Sequence, residues 1–183
     1  MINAVFTDKS LSFMLDTGGD KEFGRSMIDS TETEYYLDLS AKSWYVFNDC
    51  YGTDQEKLLI NFIDKKHADL QKLYSEVYLL RNEKHFKLYS FNDGRAFEPD
   101  FLLYLVGKKE QSTKHYQIFI EPKGKQLLLP DAWKEDFLIG IKKSHQLEQL
   151  FSNKHYIVWG MPFFNEQLRQ SDFESGFNDV LNA

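Results

Sequence analysis

Cysteine is almost missing from this chain: Cys50 stands alone among 183 residues, which excludes a disulfide framework and a cysteine-based zinc site. The five histidines, His67, His85, His115, His145 and His155, lack paired zinc-ligand spacing. No apolar run approaches the roughly 20 residues that a membrane-spanning helix needs. The N-terminus has no basic segment followed by an apolar core, so the expectation is a cytoplasmic protein with no membrane partner. A Gly-x-x-x-x-Gly-Lys-Ser/Thr phosphate loop does not occur. Positive charge is also short, with 22 Lys and Arg against 28 Asp and Glu, a net charge of -6. That balance argues against strong autonomous DNA binding, because nonspecific affinity comes mainly from cations neutralising phosphates. It does not exclude a nuclease, since partner subunits can supply the grip.

What is present suffices for one packed core: 42% of the residues are hydrophobic and 16% aromatic. Up to residue 43 the organisation is loose and reads as an N-terminal extension or linker with short strands. Leu11, Phe13 and Leu15 alternate as an edge strand does, and Tyr36 to Leu39 and Trp44 to Phe47 are further short candidates. A helix is expected from Thr53 or Asp54 to about Tyr74, with Leu59, Phe62, Ile63, Leu70 and Leu73 as its apolar stripe. Glu56 falls on that stripe face at the helix start. Either it has a task inside, or it merely favours the helix N-terminal dipole.

Val77 to Arg81 and Phe86 to Phe91 read as strands, and Asn92-Asp93-Gly94 as a turn. Phe101 to Val106 and Ile118 to Ile120 are nearly continuous apolar runs, as suits central strands, and Gly107 to Lys114 between them reads as a hairpin loop. Folding back there brings Asp100 level with Glu121 and Lys123, which share a face because they are two apart on a strand. Pro122 marks the end of regular pairing. Two carboxylates beside a lysine suit a hard divalent cation, which takes oxygen ligands, and suit phosphodiester hydrolysis. Glu98, two before Asp100, is an auxiliary acid or else an ion-pair partner of Arg95 or Lys125. His85 reads more simply as a strand-end residue than as a base. A second helix is expected from Pro130-Asp131 to about Phe151, with Trp133, Phe137, Ile141 and Leu147 inward and Gly140 as a possible kink. Tyr156 to Trp159 reads as a buried strand, and Phe173, Phe177 and Leu181 as the face of a terminal helix.

Glu98-Pro99-Asp100 with Glu121-Pro122-Lys123 resembles the PD-(D/E)xK nuclease signature. The longer ordered set, from Tyr51-Gly52-Thr53 and Glu56-Lys57 through Tyr78 to Phe86, Asp93 to Phe101 and Trp133-Lys134-Glu135, is similar to the C-terminal endonuclease domain of the Res subunit of Type III restriction enzymes. The likeness spans Trp44 to Phe164, within an endonuclease domain taken as residues 44–183. It implies an α/β fold with an αβββαβ core and a mixed central sheet flanked by helices. It implies a magnesium-dependent DNA endonuclease, with manganese able to substitute, that leaves a 5′-phosphate. Asp100 and Glu121 would ligate the metal, the Pro122 carbonyl would add a ligand, Lys123 would position the attacking water, and Glu56 would be the acid that approaches from the first helix. The implied partners are double-stranded DNA, the helicase-like ATPase motor of Res and the modification methyltransferase subunit. A catalytically silent docking module that keeps the fold is the alternative.

Overall fold

The computed structural model describes residues 25–84, 86–90, 94–108, 114–143 and 156–182. The expected strand at Leu11 to Leu15, His85, the Asn92-Asp93 half of the turn, the tip of the Gly107 to Lys114 loop and Leu147 with the expected helix end at Phe151 lie outside these residues.

The first helix, α1 (Asp54–Leu73), begins where the sequence offers a cap. Thr53 accepts from the Glu56 amide, and the Glu56 carboxylate accepts from the Thr53 amide, which satisfies two otherwise orphaned donors. Leu59, Ile63 and Leu70 are buried as the stripe requires, whereas Leu73 is exposed because the helix ends there and the chain turns directly into a strand. Ahead of α1, two short strands pair antiparallel, β1 (Arg25–Ser26) with β2 (Tyr51–Gly52).

The chain then builds β3 (Tyr74–Arg81), the short β4 (Leu88–Tyr89) and β5 (Ala96–Phe97), and the long hairpin β6 (Phe101–Gly107) and β7 (His115–Ile120). It continues through α2 (Ala132–Lys143), β8 (Tyr156–Gly160) and α3 (Gln170–Leu181). The central sheet has the order β3-β6-β7-β8. Its first three strands are antiparallel and β8 joins parallel to β7, so the sheet is mixed. The two apolar runs occupy the middle of this sheet, where residues covered on both faces belong. A parallel neighbour needs a crossover connection, and α2 lies between β7 and β8 in the chain and packs on β8.

Two apolar clusters pack around the sheet. The larger joins Leu59, Ile63 and Leu70 of α1 to Leu103, Leu105 and Ile118 of the sheet and to Phe173 and Phe177 of α3. The smaller joins Leu138 and Ile141 of α2 to Phe97, Phe119 and Phe163. At Gly160 a Cβ would lie 2.2 Å from the Leu138 carbonyl oxygen, so only glycine lets the helix backbone sit this close to β8.

Three expectations are corrected. Tyr36 to Leu39 is not a strand, and of Trp44 to Phe47 only Tyr45 makes a bridge, to Leu79. These residues are apolar because Leu39, Trp44 and Tyr45 plug the larger core from irregular backbone, as Met27 does. The expected strand from Phe86 shrinks to Leu88–Tyr89, which pairs with β5 in a separate two-stranded ribbon rather than with the central sheet. Gly140 produces no break in the α2 assignment, which runs from Ala132 to Lys143. Among the described residues no helix is long and apolar enough to cross a membrane.

Candidate functional site

The hairpin register pairs Phe101 with Ile120, which sets Asp100 and Glu121 side by side just beyond the last rung. The Asp100 amide donates to Glu121 Oε2 at 2.9 Å. Asn82 fixes the approach to this position from β3. Its amide donates to the Asp100 carbonyl at 2.7 Å, and its side chain donates to the carbonyls of Pro99 and Phe86 at 3.0 and 2.9 Å.

β7 stops at Ile120, ahead of Pro122, as a residue without an amide donor requires. The chain is then caught by the segment after β8. Pro122 is buried and bridges to Phe164, the Phe164 amide donates to the Glu121 carbonyl at 3.0 Å, and the Lys123 amide donates to the Phe164 carbonyl at 2.8 Å. Asn165, itself buried, donates from its side chain to the Lys123 carbonyl at 2.8 Å.

This clamp aims Lys123 back at the acids. Its ammonium lies 2.7 Å from Glu121 Oε1 and 2.9 Å from Asp131 Oδ2. Asp131 Oδ2 also receives Lys134 Nζ at 2.8 Å. Glu56 approaches from α1, where its Oε2 is shared between the Thr53 amide at 2.7 Å and Arg81 Nη2 at 3.3 Å. Arg81 further donates to the Tyr51 carbonyl at 3.2 Å and pairs with Glu83 at 3.4 Å.

The electrostatics separate these groups. Burial, then the charges of Glu121 and Glu56, push the Asp100 carboxyl up to about 8, against the opposing pull of Lys123 and Arg81. Burial also raises Glu121, although Lys123 and the Asp100 amide pull it down. Burial works against a charged Lys123, but Glu121 and Asp131 outweigh it and hold the ammonium protonated well above its ordinary range. The buried Glu121 and the half-buried Asp100 therefore crowd around a cation that Glu121 and Asp131 hold, and the pair carries less negative charge at neutral pH than its composition allows.

The structure thus brings together Asp100, Glu121, Pro122 and Lys123, and places Glu56 close enough for its charge to reach Asp100. Glu56 has a structural task as well, as cap of α1 and partner of Arg81. Glu98 pairs with Lys87 at 2.7 Å, not with Arg95 or Lys125. Lys125 and Gln126 are exposed in a short 3-10 turn. Among the described residues no group of three or more His, Cys, Asp or Glu side chains is arranged to hold a metal ion. The carboxylates of Asp100 and Glu121 are oxygen donors of the kind that a magnesium ion takes, although both Glu121 oxygens are engaged by the Asp100 amide and Lys123. A cation there would offset the burial and the neighbouring negative charges that raise the Asp100 carboxyl.

Sequence reasoning missed Asp131, Arg81, Asn82 and Asn165 as members of the site. Asp131 read as a helix opener, and its one local signal was Lys134 three residues on. The β5 and α2 ends also meet beside the site. The Arg95 guanidinium stands 4.4 Å over the Trp133 ring, and Lys134 lies 5.8 and 5.9 Å over Phe97 and Trp133.

A family model described as HI_1054_C, C-terminal domain, matches residues 6–179. A Haemophilus influenzae protein that bears the name "Uncharacterized protein" is 42% identical over 131 residues, which cover 67% of this chain and 28% of that protein. The match therefore spans little more than a quarter of that relative's length. No solved structure matches. With the family model covering almost all of its length, this chain belongs to the HI_1054_C C-terminal domain family.

Proposed function

We propose that this chain is a metal-dependent DNA endonuclease of the PD-(D/E)xK type, the cleavage module of a Type III restriction enzyme Res subunit. The observation that carries the proposal is the convergence of Asp100, Glu121 and Lys123 at one point, with the Asp100 backbone amide donating to Glu121 at 2.9 Å and Lys123 paired with Glu121 at 2.7 Å. The order α1, β3, β6, β7, α2, β8 around the sheet fits the αβββαβ core of such nucleases. The description of the family as a C-terminal domain, and the greater length of the relative, fit a module joined to a motor carried elsewhere. Double-stranded DNA is the substrate, and a modification methyltransferase subunit supplies sequence recognition.

Asp100 and Glu121 would hold magnesium or manganese. The ion supplies Lewis-acid stabilisation of charge on the scissile phosphate. Lys123 holds the attacking water in line and stabilises charge that develops on the phosphate. The water oxygen bonds to phosphorus and releases its proton to solvent, the bond from phosphorus to O3′ breaks, and the departing O3′ takes a proton from solvent, which leaves a 5′-phosphate. Glu56 carries its negative charge to the edge of this site, and Arg81 prevents that charge from adding fully to the repulsion.

A silent docking module is the second reading. The ion pairs that already engage Lys123 favour it, since a lysine held by two carboxylates is not presented to a substrate. An assay of the chain on supercoiled plasmid with magnesium or manganese, beside Lys123→Ala, decides between them. Weak, sequence-independent nicking by wild type that is lost in Lys123→Ala supports the nuclease. Equal behaviour of the two proteins supports the docking module.

A further inference from the structure

The Lys123 ammonium is divided between two acids that differ in task. Glu121 has its Oε2 on the Asp100 amide and its Oε1 on Lys123, so a metal bound through Oε1 would compete with the lysine. An ammonium and a divalent cation on one carboxylate oxygen repel each other. A lysine displaced from Glu121 without a second anion would sit as an uncompensated charge in a buried site, which is strongly unfavourable. Asp131 already lies within bonding distance on the other side, at 2.9 Å.

Both backbones are fixed, so only the side chain of Lys123 has to adjust. Lys123 is clamped by Phe164 and Asn165, and the Asp131 amide donates to the Leu127 carbonyl at 3.0 Å while its carbonyl accepts from the Lys134 amide at 2.8 Å. Lys134 shares Asp131 Oδ2 and helps to keep that carboxylate charged. We infer that Asp131 is a positioning residue that takes over the ammonium of Lys123 when a divalent cation occupies Glu121, so that the lysine stays in the site as the cation enters. The inference rests on the reading of Asp100 and Glu121 as metal ligands, and goes beyond it by assigning a task to Asp131.

Manganese alone, titrated into the 183-residue chain and followed by the EPR signal of the free ion, tests this without reference to cleavage. With Lys123 present, Asp131→Asn leaves the ammonium on Glu121 alone, and manganese affinity should fall about tenfold, within the range of coupling between members of one ion-pair network. In a Lys123→Ala background the same Asp131→Asn change should alter affinity less than twofold, and Asp131→Glu should restore most of the loss in the single variant. Equal weakening in both backgrounds, or no weakening in either, would overturn the role of Asp131. Melting of each variant in chelator guards against misfolding as the cause. If wild type takes up no manganese, or Asp100→Asn does not weaken uptake, the metal-site reading itself fails and the inference falls with it. If uptake depends on Asp100 but the four-way comparison is additive, only the task of Asp131 is lost.

Discussion

Glu135 and the Asp100–Glu121 pair set two ways of burying a carboxylate side by side. Glu135 is 8% exposed and each of its oxygens has its own donor, the Phe163 amide at 3.0 Å on Oε1 and Arg169 at 3.2 Å on Oε2. That arrangement ties the start of α2 to the segment after β8 and asks for nothing further. Glu121, 2% exposed, has the Asp100 amide on Oε2 and Lys123 on Oε1, but that lysine is shared with Asp131, and the half-buried Asp100 carboxyl beside it is pushed up by burial and by the charges of Glu121 and Glu56. Buried charge that is fully met holds a fold together. Carboxyls crowded around one shared lysine cost stability, and groups perturbed in this way gather at functional sites, which is why the proposed ligand site is the second cluster and not the first.

The largest expected break in this comparison is catalytic. Asp100→Asn and Glu121→Gln should each lower plasmid cleavage at least 100-fold, with partial recovery at high magnesium because the loss is in metal affinity. Lys123→Ala should lose as much without recovery, since its effect is on water and phosphate. Glu135→Gln keeps an acceptor for the Phe163 amide and should cleave within about twofold of wild type. Equal losses in Glu135→Gln and Asp100→Asn would erase the distinction.

A smaller effect is expected in stability. Glu135→Ala removes both acceptors and strands the Phe163 amide, so denaturant unfolding should show a loss of about 1–3 kcal/mol. Gly160→Ala places a methyl against the backbone of Leu138 and should cost about 1–3 kcal/mol or more by prising α2 from β8. Gly140 has open space around it, so Gly140→Ala should gain about 0.5–1 kcal/mol from helix propensity.

The effect most specific to Asp100 is in pH dependence. An ordinary aspartate releases its proton near pH ~4, whereas Asp100 in the folded chain holds it up to about 8. Between those values the folded state binds more protons than the unfolded one, so without metal stability should fall as pH rises through the window. Asp100→Asn should reduce that slope, leaving the part that comes from the raised Glu121. A wild-type melting temperature that rises across the same window would contradict the raised carboxyl.

How much of this was readable beforehand depended on sequence distance. α1 with its capping box, the β6–β7 hairpin and α3 are signalled by neighbours three or four apart, by alternation or by continuous apolar runs, and those signals are local. The meeting of Asp100 with Glu121 was readable because one hairpin register fixes it. Asp131 and Asn165 reach Lys123 through connections that no periodicity records, and Arg81 reaches Glu56 from another element altogether. Tyr36 to Leu39 misled for the converse reason: an apolar residue in irregular backbone, such as the fully buried Leu39, carries the same hydrophobic mark as one in a strand.

The central claim is that the crowded carboxyls of Asp100 and Glu121 are a place for a divalent cation. Thermal melts of wild type and Asp100→Asn, in chelator and in magnesium, test it most directly. In chelator Asp100→Asn should melt at or above wild type, because one of the repelling carboxyls is gone. Magnesium, which binds the folded state alone, should raise the wild-type melting temperature and leave Asp100→Asn with little of that rise. Equal magnesium shifts in the two proteins would mean that Asp100 is not a ligand, and the proposed mechanism would fall with it.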